Sequence, residues 1–305
     1  MKRSNDWNRR EVVKLGAAAG LLPALTFAED DTMLTRPIPV SGEALPVIGL
    51  GTWQVFDVES SDEEIALRRR IVESLVAQGG SLIDTSPMYN RSEKIIGEVI
   101  EAGVNRTKLF LATKVWTDGQ ADGERQMTRS SRLLQTDVID LMQVHNRRDL
   151  DVQLPTIREW QAQERIRYNG VTDYRESVLD EMEAVMKRHK PEFIQINYSL
   201  GEHDADDRVL PIARDLGIAV LINRPFMSGR LFRAVADREL PDWARDFADS
   251  WGRFFLKFIV SHPAVTCAIP ATSKPQHMAD NLGAGFGAMP DAATRRRMLS
   301  FVGTF

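Results

Sequence analysis

The chain has 305 residues, of which 43% are hydrophobic and 27% are charged, and its formal net charge is −4. This length suffices for one large core, and α/β barrels of about 250 residues commonly form a single domain. No basic stripe is present, so nucleic acid is not expected as a partner. Because Cys267 is the only cysteine, an intramolecular disulfide is excluded, a cysteine-based zinc site is disfavoured, and no metal site is predicted.

The first element in chain order is a basic and then apolar segment at the amino terminus. Arg9 and Arg10 precede a short apolar stretch over residues 15–25, and Ala28 supplies a small residue beyond it. A paired arginine, a mildly apolar stretch and a small residue together are typical of an export signal. The apolar stretch is too short for a spanning helix, which needs about 20 residues, so no stable membrane span is expected.

This segment resembles a bacterial twin-arginine (Tat) type signal peptide, from which it departs at Asn8 and Val12. The resemblance implies that residues 1–28 direct the folded chain through the Tat translocon to the periplasm, with the signal either removed or retained. Residues 29–305 would then form the functional domain. A capped amphipathic helix is the alternative interpretation of the segment.

The rest of the chain alternates short apolar segments with amphipathic ones. Strands are predicted near residues 46–53, 81–84, 109–114, 138–144, 166–171, 193–198, 218–223 and 266–270. Helices are predicted near residues 62–78, 92–102, 124–135, 151–163, 176–188, 207–216, 251–262 and 275–282. Eight alternations predict an α/β fold, namely a (β/α)8 TIM barrel built as a single domain. An open doubly wound sheet is the alternative, but no Gly-x-Gly-x-x-Gly opens any helix. The longest irregular stretch is predicted over residues 225–249.

Four polar side chains lie at or just beyond the ends of three neighbouring predicted strands. Asp84 ends one strand and Tyr89 follows it, Lys114 ends the next, and His145 ends the third. Barrel active sites form at the carboxyl ends of strands, so we expect these four residues to converge. Lys114 is expected to lower the pKa of Tyr89, which is about 10 for a free phenol. Asp84 would hold Lys114, and His145 would orient a substrate oxygen. Such a set suits proton-coupled carbonyl chemistry and requires a cofactor that donates hydride.

Motifs in a specific order accompany these residues. They are the segments 49–53 (Gly-Leu-Gly-Thr-Trp), 84–93, 112–114, 140–145, 166–172, 195–198, 217–220, 269–273 and 280–281. Through them the chain resembles the aldo-keto reductase superfamily over roughly residues 36–290. The resemblance implies a (β/α)8 barrel with Asp84, Tyr89, Lys114 and His145 as the catalytic tetrad. It also implies NADPH-dependent reduction of an aldehyde or ketone to an alcohol, with Tyr89 as general acid.

The same resemblance implies a set of cofactor contacts. Asp173 stands where relatives bind the nicotinamide carboxamide, and an ionised aspartate accepts hydrogen bonds without donating them. Arg224 stands near the position of a stacking tyrosine, and its guanidinium can stack on a ring. The last predicted helix and Lys274 are expected to hold a phosphate, so NADPH is expected and NADH is the alternative. The complete predicted set is Thr52, Trp53, Asp84, Thr172, Asp173, Gln195, Asn223, Arg224, Pro225, Ser228, Gly229, Leu231, Thr272, Ser273, Lys274, His277 and Asn281.

The substrate pocket is predicted from residues that flank the catalytic strand ends. They are Trp53, Phe56, Met88, Trp116 and Asn146, and such walls suit an apolar or carbohydrate-ring substrate. Two other functions stay open. Asp173 and Asn223 are compatible with a nicotinamide-binding redox sensor or partner subunit with little turnover. A hydrolase with paired carboxylates is disfavoured, because Asp84 is paired with a lysine. The charged residues at 147–149 and the three arginines at 295–297 are predicted to be solvated surface.

Overall fold

We describe the protein from a computed structural model that covers residues 32–303. The predicted signal over residues 1–28, and its boundary with the following domain, lie outside the described residues. An antiparallel hairpin of β1 (Thr35–Pro37) and β2 (Ala44–Pro46) precedes the barrel. The barrel strands are β3 (Leu50–Gly51), β4 (Leu82–Asp84), β5 (Phe110–Val115), β6 (Ile139–His145), β7 (Ile166–Thr172), β8 (Phe193–Asn197), β9 (Ala219–Asn223) and β10 (Cys267–Ala268).

Helices surround the strands. They are α1 (Asp62–Ala77), α2 (Ser92–Glu101), α3 (Gln120–Leu133), α4 (Leu150–Ala162), α5 (Leu179–His189), α6 (Val209–Asp215), α7 (Arg230–Ala234), α8 (Trp251–Val260), α9 (Pro275–Gly283) and α10 (Ala292–Val302). Short 3-10 helices lie at Arg106–Lys108, Glu176–Val178, Asp204–Asp206, Met227–Gly229 and Asp242–Ala244. None of the helices between residues 32 and 303 has the length and apolar character needed to cross a membrane.

All eight barrel strands are parallel and pair in chain order from β3 to β10. Isolated parallel bridges join the first strand to the last, between Ile48 and Ala268 and between Gly51 and Ala271. The Gly49 amide donates to the Ala268 carbonyl over 2.8 Å at this seam. The predicted (β/α)8 barrel is therefore confirmed, and its strand ends define one common face.

Local sequence signals explain the elements that position this face. The Ser61 side chain caps α1 by accepting a hydrogen bond from the Glu64 amide, and acidic residues fill the first turn. Gly79, with φ +85°, lets the chain turn back after this helix. Strands β4, β5 and β6 are buried along their whole length. Burial on both sides is expected where helices cover the outside of a parallel sheet.

The β1–β2 hairpin, which the sequence did not predict, closes the amino-terminal end of the barrel. Ile38 and Leu45 join the apolar cluster inside the barrel, together with Phe110. The phenol of Tyr168, near the start of β7, donates to Glu43 and lies 2.7 Å from it. Because this end is sealed, the barrel opens at the carboxyl ends of its strands.

Two sequence expectations are wrong in part. The stretch 225–249 is not irregular throughout, because it contains α7 and two 3-10 helices, and Leu231 packs into the main core. The arginines at 295–297 lie on α10, and Arg295 is buried, not solvated. Its guanidinium donates to the Phe258 carbonyl over 2.9 Å and to the Tyr198 hydroxyl. These acceptors come from distant parts of the chain, so the sequence pattern did not reveal them.

Candidate active site

The structure brings together the four side chains that the sequence analysis singled out. Asp84 and His145 are the last residues of β4 and β6, and Lys114 is the last but one of β5. The Lys114 ammonium lies 2.7 Å from Asp84 Oδ2 and 5.0 Å from the centroid of the Tyr89 ring. The rings of Tyr89 and His145 meet edge to face, with centroids 6.0 Å apart.

Asp84 and Lys114 are held by a dense set of hydrogen bonds. Asp84 Oδ1 accepts from Gln195 Nε2 over 2.8 Å and from Gln143 Nε2 over 3.2 Å. Lys114 donates a second hydrogen bond to the Thr85 carbonyl over 2.7 Å, and its side chain has no exposed surface. A buried ammonium with these partners has little freedom to move, so its charge stays at a defined place under the Tyr89 ring.

The pKa of Tyr89 does not follow the sequence expectation. Burial raises it, and the opposing influence of the Lys114 ammonium only partly offsets that effect, so the pKa of Tyr89 is raised overall. Burial alone would lower the pKa of Lys114, but Asp84 and Tyr89 outweigh it, so the lysine pKa is raised. Tyr89 is therefore a protonated phenol at neutral pH, next to a permanent cation. The predicted lowering was wrong because it ignored desolvation.

His145 is a neutral imidazole. Burial and then the nearby Lys114 cation lower its pKa to about 3, and Asp173 only partly opposes them. Its Nδ1 lies 3.2 Å from the hydroxyl oxygen of Ser86, a fully buried residue. A neutral imidazole donates one hydrogen bond and accepts another, so His145 is suited to orient a substrate oxygen and not to protonate it.

Asp173 is ionised and sits between two guanidinium groups. Its Oδ2 accepts from Arg147 Nε over 3.0 Å and from a terminal nitrogen of Arg175 over 2.7 Å. Burial raises its pKa, but the hydrogen bonds from both arginines prevail, and the pKa of Asp173 is lowered. Arg147 is 18% exposed and Arg175 is 48% exposed. The prediction that Arg147 is solvated surface is wrong, because its guanidinium binds the buried Asp173 carboxylate. The sequence analysis missed Arg175, and the only signal for both arginines was their position within three residues of a strand end.

The buried amide oxygens without a hydrogen-bond partner within residues 32–303 include two at the ends of β6 and β9, which are not adjacent in the barrel. They are Oδ1 of Asn146, after β6, and Oδ1 of Asn223, the last residue of β9. Asn146 and Arg224 have left-handed backbones, with φ of 52° and 48°. A buried amide oxygen without a partner is costly, so both positions suit a ligand that supplies donors.

The remaining predicted cofactor residues lie on the same face, with one exception. Thr172 donates to Gln195 Oε1 over 3.1 Å, and the Thr52 hydroxyl donates to the Asp84 carbonyl over 2.9 Å. Pro225 is buried, Ser228 is exposed, and Gly229 has φ of 82°. The exception is Leu231, because its side chain packs in the core and leaves only its backbone to contact a ligand.

The helix α9 begins next to this face without a side-chain cap. Lys274 is its first flanking residue and Pro275 its first helical residue, and no side chain accepts from its first amides. The Lys274 amide itself donates to the Thr272 hydroxyl over 3.1 Å. Lys274 and His277 are exposed, Ser273 is half-buried and Asn281 is buried. Uncapped amides and an exposed lysine are suited to an anion.

The predicted pocket residues flank the tetrad and form an open wall. Trp53 is 48% exposed and Met88 is 42% exposed. The guanidinium of Arg148 lies 4.2 Å from the centroid of the Trp116 ring, and Arg148 also pairs with Asp118. Phe56, another candidate, is fully buried in the core. The wall is aromatic, with neutralised charges at its rim.

Known proteins resemble this chain in sequence. The sequence model of the Aldo/keto reductase family matches residues 47–293. The aldo-keto reductase YhdN of Bacillus subtilis is 32% identical over 201 residues, which are 60% of this chain and 59% of that protein. The methylglyoxal reductase YeaE of Escherichia coli is 28% identical over 259 residues, which cover 82% of this chain and 89% of YeaE.

Solved structures show the same fold. The aldo/keto reductase from Klebsiella pneumoniae in complex with NADP and acetate superposes with a TM-score of 0.74 at 23% identity, covering 86% of this chain and 93% of that one. The holo form of the aldo-keto reductase AKR11C1 from Bacillus halodurans has a TM-score of 0.70 at 22% identity, covering 88% and 96%.

Proposed function

The chain belongs to the aldo/keto reductase family, and from this membership we propose that it reduces an aldehyde or ketone to an alcohol with NADPH, with Tyr89 as general acid. The observation that carries the proposal is the fully buried Lys114, which pairs with Asp84 and lies 5.0 Å from the Tyr89 ring centroid. A protonated phenol beside a fixed cation can give up its proton, because the cation stabilises the phenolate that forms.

The residues on the strand-end face fit a nicotinamide dinucleotide. The unpartnered Oδ1 atoms of Asn146 and Asn223 would accept hydrogen bonds from it. The uncapped start of α9, with Lys274, would hold a phosphate. The solved relative from Klebsiella pneumoniae is in complex with NADP, which supports NADPH over NADH.

Arg147 can supply the hydrogen-bond donors that the Asp173 carboxylate lacks. An ionised carboxylate accepts from an amide NH2 but cannot donate to an amide oxygen. Arg147 is anchored to Asp173 through Nε, and its two terminal nitrogens make no hydrogen bond with residues 32–303. We propose that these nitrogens donate to the carboxamide oxygen. The Asp173 carboxylate, which has no exposed surface and already accepts from both arginines, holds Arg147 in place. The pair would then supply the donor that an asparagine side chain would provide.

The chain's residues divide the work of the reaction. When bound, reduced nicotinamide supplies a hydride to the carbonyl carbon. Tyr89 passes its phenolic proton to the carbonyl oxygen, so the product is an alcohol. Lys114 stabilises the resulting phenolate, and Asp84 holds Lys114 in place. His145, neutral because burial and Lys114 lower its pKa to about 3, donates a hydrogen bond that orients the carbonyl oxygen.

A small carbonyl compound is the substrate class that we propose. The relatives YeaE and DkgA of Escherichia coli are named methylglyoxal reductases, and the aromatic wall of Trp53 and Trp116 suits a compact, partly apolar molecule. Methylglyoxal and a series of aliphatic and aromatic aldehydes form the test panel.

Replacement of Tyr89 by phenylalanine tests the proposed function. NADPH oxidation by the wild type with the aldehyde panel should fall by about 10²- to 10⁴-fold in Tyr89→Phe, since the general acid is lost. NADPH affinity, measured by tryptophan fluorescence quenching, should stay within a factor of two. Absence of aldehyde-dependent oxidation in the wild type contradicts the proposal. Tight NADPH binding with turnover indifferent to Tyr89→Phe would favour a sensor or partner subunit.

We also propose that residues 1–28 are a Tat-type signal that exports the folded barrel to the periplasm. The paired arginines Arg9 and Arg10 before an apolar stretch support it. The Tat route carries folded proteins, so an enzyme loaded with cytoplasmic cofactor would be a suitable cargo. Full-length chain expressed in a bacterium with a Tat translocon should appear in the periplasmic fraction. The variant with Arg9→Lys and Arg10→Lys should stay in the cytoplasm, and cytoplasmic location of both forms would contradict export.

A further inference from the structure

Ser86 is a fully buried polar residue that the resemblance assigns no role. It lies two residues beyond the end of β4, in the turn between Asp84 and Tyr89. Its hydroxyl oxygen is 3.2 Å from Nδ1 of His145 and accepts a hydrogen bond from the Met88 amide over 3.1 Å. We propose that Ser86 is a positioning residue that fixes His145 in the tautomer with the proton on Nε2.

The hydrogen-bond partners of Ser86 select one tautomer of His145. A serine hydroxyl carries one hydrogen to donate and two lone pairs. Within residues 32–303, Ser86 Oγ has two partners, the Met88 amide and His145 Nδ1. The amide is a donor and occupies one lone pair. If Nδ1 carried the imidazole proton, the Ser86 hydroxyl hydrogen would be buried without an acceptor, which is unfavourable. If Nδ1 accepts from Ser86, every group is paired.

The Ser86 hydrogen bond can select a tautomer only if the His145 imidazole is neutral. A protonated imidazole has a hydrogen on both nitrogens, so it has no tautomers for the Ser86 hydrogen bond to distinguish. His145 is only 8% exposed, and the Lys114 cation is close enough to disfavour a second positive charge. The single proton of the neutral ring must therefore be on one nitrogen. Placing it on Nε2 leaves that nitrogen as a donor with no hydrogen bond to residues 32–303.

The turn around Ser86 links this tautomer to the position of Tyr89. The Ser86 carbonyl accepts from the Tyr89 amide over 3.0 Å, while its hydroxyl accepts from the Met88 amide. Ser86 thus fixes both the backbone that leads to Tyr89 and the imidazole of His145, which packs against the Tyr89 ring. The role of Nε2–H at a substrate carbonyl rests on the proposed function. The tautomer itself does not, because it can be observed without cofactor or substrate.

Nuclear magnetic resonance of the full chain labelled with 15N-histidine tests the tautomer. The chain has five histidines, and the variant His145→Gln assigns the resonance of interest. We expect two-bond 1H–15N correlations that show a protonated Nε2 and an unprotonated, hydrogen-bonded Nδ1 in the wild type. In Ser86→Ala the Nδ1 resonance should move to that of a nitrogen without a hydrogen bond, and Ser86→Thr should retain the wild-type pattern. A wild type protonated at Nδ1 overturns the proposal, as does a pattern unchanged in Ser86→Ala.

The matched control is Ser92→Ala, which removes another fully buried serine hydroxyl. Ser92 bonds to Thr85 and not to His145, so the His145 pattern should be unchanged. In activity assays Ser86→Ala should lower kcat for the aldehyde roughly five- to tenfold, with unchanged NADPH affinity, because one orienting hydrogen bond is lost. Failure of the wild type to reduce any aldehyde would sink the proposed function and leave the tautomer result standing. A normal kcat in Ser86→Ala together with a changed His145 pattern would overturn the catalytic part alone.

Discussion

Lys114 donates to Oδ2 of Asp84 over 2.7 Å, and the two side chains are 0% and 3% exposed. They form an ion pair that is almost completely removed from water. Two buried charges that neutralise each other contribute little net stability, but either one left alone is strongly unfavourable. Loss of either residue would therefore leave a buried, unpaired charge and destabilise the site, whichever of the two takes part in the chemistry.

Asp84→Asn is expected to lower the free energy of unfolding by about 3–5 kcal/mol, because the Lys114 ammonium would stay buried without its counter-ion. Urea unfolding followed by circular dichroism measures this change. The control is Asp118→Asn, which breaks the ion pair with Arg148 on the surface. That change should cost far less stability, because solvent screens an exposed ion pair. Equal losses in the two variants would show that burial of Lys114 is not the cause.

The pH dependence of stability should report the neutral state of His145. Its pKa is lowered from 6.5 to about 3 in the fold, so the unfolded chain binds a proton that the folded chain does not. Stability contributed by the neutral imidazole is complete above pH 6.5 and is lost as pH falls towards 3, by about 1.4 kcal/mol per pH unit at most. His262, lowered to about 4, adds to the slope.

Comparison with His145→Gln isolates the contribution of this one residue. Between pH 6.5 and 4.5 the variant should lose less stability than the wild type, and the difference between the two curves should grow as the pH falls. Parallel curves would mean that His145 has an ordinary pKa in the folded chain.

Arg147→Met should weaken NADPH binding roughly tenfold, since the terminal nitrogens that we propose as donors to the carboxamide oxygen are lost. Quenching of tryptophan fluorescence gives the dissociation constant. Asp173→Asn in the Arg147→Met background should restore most of the affinity, because asparagine both donates and accepts. A fragment without the nicotinamide, 2′,5′-ADP, should bind to all variants alike.

The control for Arg147 is Arg175→Met. Arg175 contacts the same carboxylate but is 48% exposed, so its removal tests whether support of Asp173 alone explains any loss. NADPH affinity should change by less than about twofold. An equal loss in Arg175→Met would refute the donor role of Arg147.

Gly97→Ala should destabilise the fold by about 2–3 kcal/mol. A Cβ on Gly97, within α2, would lie 1.9 Å from the Leu133 carbonyl oxygen at the end of α3, and neither backbone has room to move freely. Thermal or urea unfolding measures the loss. Gly303→Ala, where the nearest atom would be 3.4 Å away, should change stability by less than about 1 kcal/mol.

The barrel and the grouping of the tetrad were predictable from sequence, because both follow from periodicity and from the common edge of parallel strands. The family match confirms the assignment as a reductase, while the roles of Asp84, Tyr89, Lys114 and His145 stay predictions. The direction of the Tyr89 pKa was not predictable, because it depends on how much water the fold removes from the phenol. The signal over residues 1–28 also stays a prediction.

Other features escaped the sequence analysis because they arise from contacts between distant segments. Arg147 and Asp173 are 26 residues apart and meet because His145 and Thr172 are paired across β6 and β7. The β1–β2 hairpin carries too few apolar residues to be recognised as a pair of strands. The helix α10 was not predicted because its run of arginines resembles an exposed charged segment. Arg295 is buried because its guanidinium donates to acceptors on other elements.

The geometry of the barrel also determines where a tag or linker can be joined without obstructing the active site. Leu34 bonds to the Gly285 carbonyl over 2.8 Å, and Met33 lies beside Gly79. Gly79 and Gly285 follow the carboxyl ends of helices that run antiparallel to the strands. Met33 therefore lies at the amino-terminal end of the barrel, which the hairpin closes. A purification handle, fluorescent fusion or immobilising linker joined ahead of Met33 would start from the rear of the molecule, with the mouth of the barrel pointing away from the support.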